Sequence, residues 1–217
     1  MPNVLLVAAI FLATHVALSE PPLRGFCVHA LGERPFVWSY SVLAVLQLIW
    51  LSHAVGAAAA QIYWHPPQVL AAVHWIAVPL AILLAVAGFT QNNPTAAVVS
   101  GTLARRDVGG ILAVTRHPVI WSILLWSVAR LLVVDRAPEA VQYAVFAGLA
   151  AWGILRFDAK LRAKWGDAAW ADFAARTSNL PFLAMAQGRA HFHPRKLGWL
   201  RWTAVAVFIA AAVVLLR

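Results

Sequence analysis

Long apolar runs alternate with short polar ones along the whole chain. Six runs stand out, over residues 2–19, 36–60, 69–90, 118–134, 138–157 and 198–216. Each meets the length a helix needs to cross a hydrocarbon core, about 20 residues with a lower bound near 17. Turn chemistry separates them: Pro21-Pro22, Pro66-Pro67, Gln91-Asn92-Asn93-Pro94, the stretch from Asp135 to Pro138, and Pro194. After the fifth run the pattern becomes amphipathic. Leu161, Trp165, Ala169 and Phe173 share one stripe, with Lys160, Lys164, Asp167 and Arg176 off it. That spacing predicts an amphipathic helix over about 158–177, either at the cytoplasmic interface with its basic residues toward anionic headgroups or as a solvated loop helix packing on the bundle, two readings that are compatible. The pattern as a whole predicts an all-α fold: an integral membrane bundle of about six transmembrane helices with a cytoplasmic amphipathic helix.

Composition agrees. Hydrophobic residues make up 62% of the 217 residues and charged ones only 12%. A water-soluble domain carries about 25% charged residues, and a disordered chain is polar, so both classes are excluded. The lone Cys27 excludes a disulfide framework and a cysteine zinc site. A net charge of +9 would suggest nucleic acid in a soluble chain. Here it sets orientation instead, and the expected partner is the lipid bilayer. Twelve Lys and Arg fall in the first, third and fifth connecting loops, against Arg136 and Arg217 on the other side. Basic loops stay in the cytoplasm, so a multi-pass protein with both termini outside is expected. No Lys or Arg precedes Arg24, so the first run lacks the positive start of a signal peptide.

Eight histidines are many for so apolar a chain. His15, His53, His74 and His117 lie in or at the edge of predicted spans, where an ionisable group is costly and usually faces the bundle interior. His15 sits about 6 Å inside the cytoplasmic end of its span, and His117 opens the fourth span on the same side. His53, His74 and Arg130 form an outer set, roughly 6 to 10 Å from the other end. Neutral imidazole is the commonest biological metal ligand, so this set is a candidate for metal or haem ligation. The alternative is that each histidine donates to a carbonyl of a neighbouring helix. Trp50, Trp75, Trp121 and Trp126 either line a haem slot or anchor the interface. Arg130 either pairs with Asp135 or Glu139, meets a haem propionate, or snorkels to headgroups.

Thr115-Arg116-His117-Pro118 opens the fourth span. Proline suits the first turn, and the positive helix end beside Arg116 and His117 outlines an anion site. Plain punctuation, with the arginine anchoring the span at headgroups, explains the same residues.

Arg116-His117-Pro118, a membrane hairpin, Asp158-Ala-Lys-Leu161, Trp165-Gly166, Trp170, Phe173 and Thr177-Ser-Asn-Leu-Pro-Phe182 resemble the NnrU family. So do Leu183-Ala-Met-Ala-Gln-Gly-Arg189, Phe11-Leu-Ala-Thr-His15 and Tyr63-Trp64-His65-Pro66-Pro67. The resemblance covers nearly the whole chain as one domain, 1–217. It implies a bacterial inner-membrane protein linked with nitric-oxide and denitrification metabolism. The family is similar to the 15-cis-zeta-carotene isomerases, haem-b membrane enzymes, and distantly to the isoprenylcysteine carboxyl methyltransferases. Carried over by position, the resemblance implies His15 and His117 as metal ligands. A further histidine that relatives often carry falls here on Arg130, and His53 or His74 would replace it. Three functions follow as expectations. One is a haem-b redox or isomerase-like protein acting on an apolar or gaseous ligand. Another is an S-adenosylmethionine-dependent methyltransferase-like enzyme using Arg116, His117 and Asp158. The third is a non-enzymatic assembly or sensing partner of respiratory complexes.

Overall fold

The computed structural model describes residues 1–91, 93–95, 108–199, 201–203, 206, 207 and 210. It is all-helical, and the described residues contain no strand, only an isolated bridge between Ile62 and Arg136. The helices are α1 (Pro2–Ser19), α2 (Pro21–Leu31), α3 (Glu33–Ala57), α4 (Gln68–Thr90), α5 (Ile111–Val114), α6 (Pro118–Leu131), α7 (Ala137–Trp165), α8 (Asp167–Arg176), α9 (Leu183–Ala186) and α10 (Pro194–Leu197).

Four of them, α1, α3, α4 and α7, are long and apolar enough to cross a membrane. Two predicted elements differ in extent. The span expected over 118–134 is realised as α6, whose 14 residues reach only about 21 Å against a core of about 30 Å. Its last turn gives way to residues tied down by the connection before α4. The span expected over 138–157 and the interfacial helix over 158–177 run together. No breaker stands between Phe157 and Asp158, so α7 continues for 29 residues to Trp165 and stops at Gly166, φ 82°. Only a glycine enters that backbone region without strain. The sixth predicted span, 198–216, lies largely outside the described residues, as do Arg105, Arg106 and Arg217.

The stretch 20–35, read as a loop, contains α2. Pro21 and Pro22 occupy its first turn, where their missing N–H groups cost nothing, so a pair that looks like a breaker starts a helix.

Packing follows a simple order. α1 lies on α3, and α4 lies on α6; α7 packs against α1, α3 and α6 and joins the two pairs. Val4, Val7, Ala8 and Phe11 of α1 bury against Leu51, Ala54 and Val55 of α3 and Val145 of α7. On the other side Ala77 and Val78 of α4 bury against Ala129 of α6. Gly88 allows the closest approach there: a Cβ on it would stand 2.8 Å from Val119 Cγ2 and 3.2 Å from the Val119 nitrogen. Elsewhere the helix faces are exposed and apolar, as in Val42, Leu46, Ile49, Val69 and Ile76. An apolar outside is what a lipid surround demands.

The two ends of the bundle differ. At one end the connection before α4 is sewn to the turn before α7. Tyr63 Oη and Trp64 Nε1 both donate to the Val134 carbonyl, at 3.1 and 2.6 Å, and the Ala137 N–H donates to the Gln61 carbonyl. At the other end α2 is tied to α7 through Glu20, and the chain leading into α6 meets the segment after α8, and most of the charge lies at this end.

Candidate functional site

His117 is the N-cap of α6, with Pro118 in the first helical turn. Its side chain is fully buried, its ring edge-on to Phe157 at 5.7 Å. Nε2 lies 2.6 Å from Asp158 Oδ1. An ionised carboxylate only accepts, so Nε2 is the donor. Nδ1 is then the lone-pair nitrogen of the neutral ring, and it is buried with no partner. Burial pushes His117 below its ordinary value near 6.5, against the pull of Asp158. The buried form is therefore the neutral imidazole at physiological pH.

Arg116 holds the other oxygen of the same carboxylate. Nη1 donates to Asp158 Oδ2 at 3.3 Å, Nη2 donates to the Thr177 carbonyl at 3.0 Å, and the guanidinium stacks 5.1 Å from the Trp170 ring centre. Its Nε is buried and unpartnered. Trp170 belongs to a three-ring cluster with Trp165 and Phe173, so the break at Gly166 folds α8 back onto the end of α7 and over Arg116. The expected anion-binding arginine thus has an internal anion already, Asp158.

The segment after α8 completes the wall. The Arg116 N–H donates to the Ser178 carbonyl at 2.8 Å, and the Phe182 N–H donates to the Val114 carbonyl at 2.8 Å. Thr115 Oγ1 and Trp121 Nε1 both donate to the Asn179 carbonyl at 2.8 Å. Asn179 Nδ2 donates to the Ile154 carbonyl, while its Oδ1 is buried without a donor. Arg189 closes the C-terminus of α8, donating to the carbonyls of Ala174, Ala175 and Thr177. Two guanidinium groups therefore share the Thr177 carbonyl. From the other side Thr95 Oγ1 donates to the Arg116 carbonyl at 2.7 Å, and Asn93 Oδ1 holds Thr95. At Gly110, φ 67°, the chain passes so close to Gln91 that a Cβ would meet its Nε2 at 2.8 Å.

The other predicted residues lie apart from this cluster. His15 sits between α1 and α3, its ring 5.4 Å from Phe11 and 5.3 Å from Tyr40. Its Nδ1 is buried and unpartnered, like that of His117, but the two histidines share no hydrogen-bond or ring partner. His74 Nδ1 stands 3.3 Å from the Ala129 carbonyl across the α4–α6 contact, the interhelical bond of a core histidine. His53 is exposed on the outer surface of α3. Arg130 lies over the Tyr143 ring at 5.1 Å, and Glu139 pairs with Arg136 instead. Arg156 pairs with Glu20 at 2.9 Å. Among the described residues no three His, Cys, Asp or Glu come together as a metal group.

Asp158 is the member of the cluster that ties Arg116 and His117 into one unit. Asn179 and Arg189 have no chemical signature of their own. The only mark on them is that 177–182 and 183–189 lie in the stretches of the chain that carry the family resemblance.

The fold and this cluster define a helical membrane protein with a buried neutral histidine held by an Arg116–Asp158 ion pair at the end of its helices. Residues 3–217 match the NnrU protein family, and the chain belongs to it. No curated protein and no solved structure matches it.

Proposed function

We propose that this NnrU-family protein binds haem b in the membrane, with His117 as the residue that would hold it. We further propose that it serves nitric-oxide and denitrification metabolism, or an isomerase-like redox reaction on an apolar substrate. The observation that carries this reading is His117. Ligating histidines characteristically donate their other ring nitrogen to a carboxylate, which fixes the tautomer and raises the basicity of the ligating nitrogen. Asp158 does this to Nε2 and leaves Nδ1 buried, neutral and unmatched. The donor set fits haem, which needs only one or two imidazole nitrogens: the His117 Nδ1 lone pair is buried and unmatched, with the Phe157 ring against the imidazole. Haem bound there supplies an iron able to take a small gaseous ligand or carry one electron. The chain's own part is to orient the imidazole through Asp158 and to neutralise Asp158 through Arg116. The outer wall, α8 and residues 177–182, excludes water from the imidazole.

The test is an absorption spectrum of gently purified protein expressed with haem supplementation. A Soret band is expected, lost in His117→Ala. Asp158→Asn should keep the band and shift the reduction potential, since it changes the ligand's basicity and leaves the ligand itself in place. A wild-type protein without a Soret band defeats the reading.

We also propose that the end carrying the cluster faces the cytoplasm of a bacterial inner membrane. The charge asymmetry between the two ends supports this orientation.

A further inference from the structure

α2 joins the end of α1 to the start of α3, and both neighbours are long apolar helices of membrane-crossing length. It therefore lies at the level where those two helices end. It has 11 residues and no buried one. A helix so short is marginal in water, where about 12 to 15 residues are needed even for good sequences. Its sequence contains Gly25 and begins with two prolines, so intrinsic preference does not account for it. Its contact with the rest of the protein is limited to the side of Arg24, Cys27 and Val28, each half-buried.

The opposite side is open. Leu23, Phe26 and Ala30 recur at three and four residues and stand exposed, Phe26 at 71%. An apolar stripe at helical spacing on the free side of a helix is the mark of an interfacial element.

Charge fixes both ends of α2 at that level. Arg156, Lys160 and Lys164 occupy every fourth position along α7, one above another on the same face. Glu20, the residue before α2, accepts from Arg156 at 2.9 Å and faces Lys160 at 3.3 Å. Glu33, just after α2, lies between Lys164 and Arg24, each at 3.7 Å. Each glutamate is thus matched by two cations. The carboxylates are neutralised, a positive surplus remains, and Arg34 adds an exposed cation beside it. A surface of this sign suits anionic headgroups.

We propose that α2 is an interfacial helix lying in the headgroup–acyl boundary of the bilayer leaflet at the basic end. Leu23, Phe26 and Ala30 enter the acyl region, while the paired cations around Glu20 and Glu33 sit among the headgroups. The occupant of the open face is lipid.

A nitroxide scan in vesicles of phosphatidylcholine and phosphatidylglycerol tests this. The lone thiol is removed by Cys27→Ser, and single labels are placed through Phe26→Cys, Ala30→Cys and Gly25→Cys. Gly25 serves as the contrast because a Cβ there meets open space and points away from the stripe. Labels on the stripe should collide with dissolved oxygen more than with a water-soluble nickel chelate, and the label at position 25 should show the reverse. The two stripe positions test each other, so a folding failure in one leaves the other to decide. Equal, water-like nickel contact at all three positions would overturn the proposal. So would protection of positions 26 and 30 from both reagents, which would mean that protein covers the face.

Discussion

At the scale of single residues, the site is built from groups that each satisfy another. His117 and Arg116 divide the two oxygens of Asp158, and Arg116 and Arg189 divide the Thr177 carbonyl. Removing one member strands its partner. Asn179→Ala removes the Nδ2 bond to the Ile154 carbonyl while leaving the backbone bonds from Thr115 and Trp121, and should cost about 0.5–1.5 kcal/mol, read as a lower melting temperature in detergent micelles. His117 gives the protein a pH dependence of definite sign. Its folded value lies below the ordinary 6.5, so above that pH both folded and unfolded chains are neutral at this position. As pH falls through 6.5 the unfolded chain binds a proton that the folded one resists, and stability is lost down to the lowered value. Melting curves of haem-free protein between about pH 8 and about pH 5 should fall less steeply for His117→Gln than for wild type. Arg116-His117-Pro118 and Asp158 were readable from the chain because charged residues stand out in an apolar background. Thr177 and Asn179 act largely through their own backbone carbonyls, which every residue type possesses, and Arg189 spends its guanidinium on backbone carbonyls, so composition and spacing carry no trace of their role.

At the scale of elements, the apolar runs were legible because lipid leaves a long helix few alternatives. What was not legible was where helices join, stop or shorten. α7 runs on to Gly166 because the charged stretch after Phe157 is made of good helix formers, and only the positive φ of the glycine ends it. α2 hid behind two prolines that suggest a turn and in fact occupy a first helical turn. Gly88 marks a contact that pattern cannot reveal. Gly88→Val must push α4 from α6 at Val119 and should destabilise by about 1–3 kcal/mol, a drop that unfolding in a denaturing detergent series would register. The ionic contacts of α2 are exposed and individually weak. Arg156 and Lys160 hold the Glu20 carboxylate below its ordinary value near 4.5, so this tie is complete above that pH and disappears as pH falls through the lowered value. Cleavage by a protease added at the basic end of reconstituted vesicles should accordingly speed up within residues 20–33 for Glu20→Gln at neutral pH.

At the scale of the whole molecule, the two ends of the bundle carry different chemistry. One is closed by Tyr63, Trp64 and the Val134 carbonyl; the other gathers the charged residues and the histidine site. If the basic end is cytoplasmic, an activity reporter fused after residue 185 should report cytoplasm, and one inserted at residue 65 should report the outside. The reverse pattern would turn the protein over and place the site on the other face of the membrane.

The position of α7 also bears on how the chain is made. A ribosome delivers α1 and α3 first, then α4 and α6, and each pair can close on itself as soon as it leaves the translocon. The element that packs against both pairs, and that brings Asp158 to His117 and Lys160 to Glu20, comes last of the five. Until then the two pairs lack the main packing surface that joins them in the finished fold. A nascent chain arrested before residue 137 therefore offers the membrane's quality-control proteases two unjoined halves, and commitment to a finished protein comes with the synthesis of a single helix.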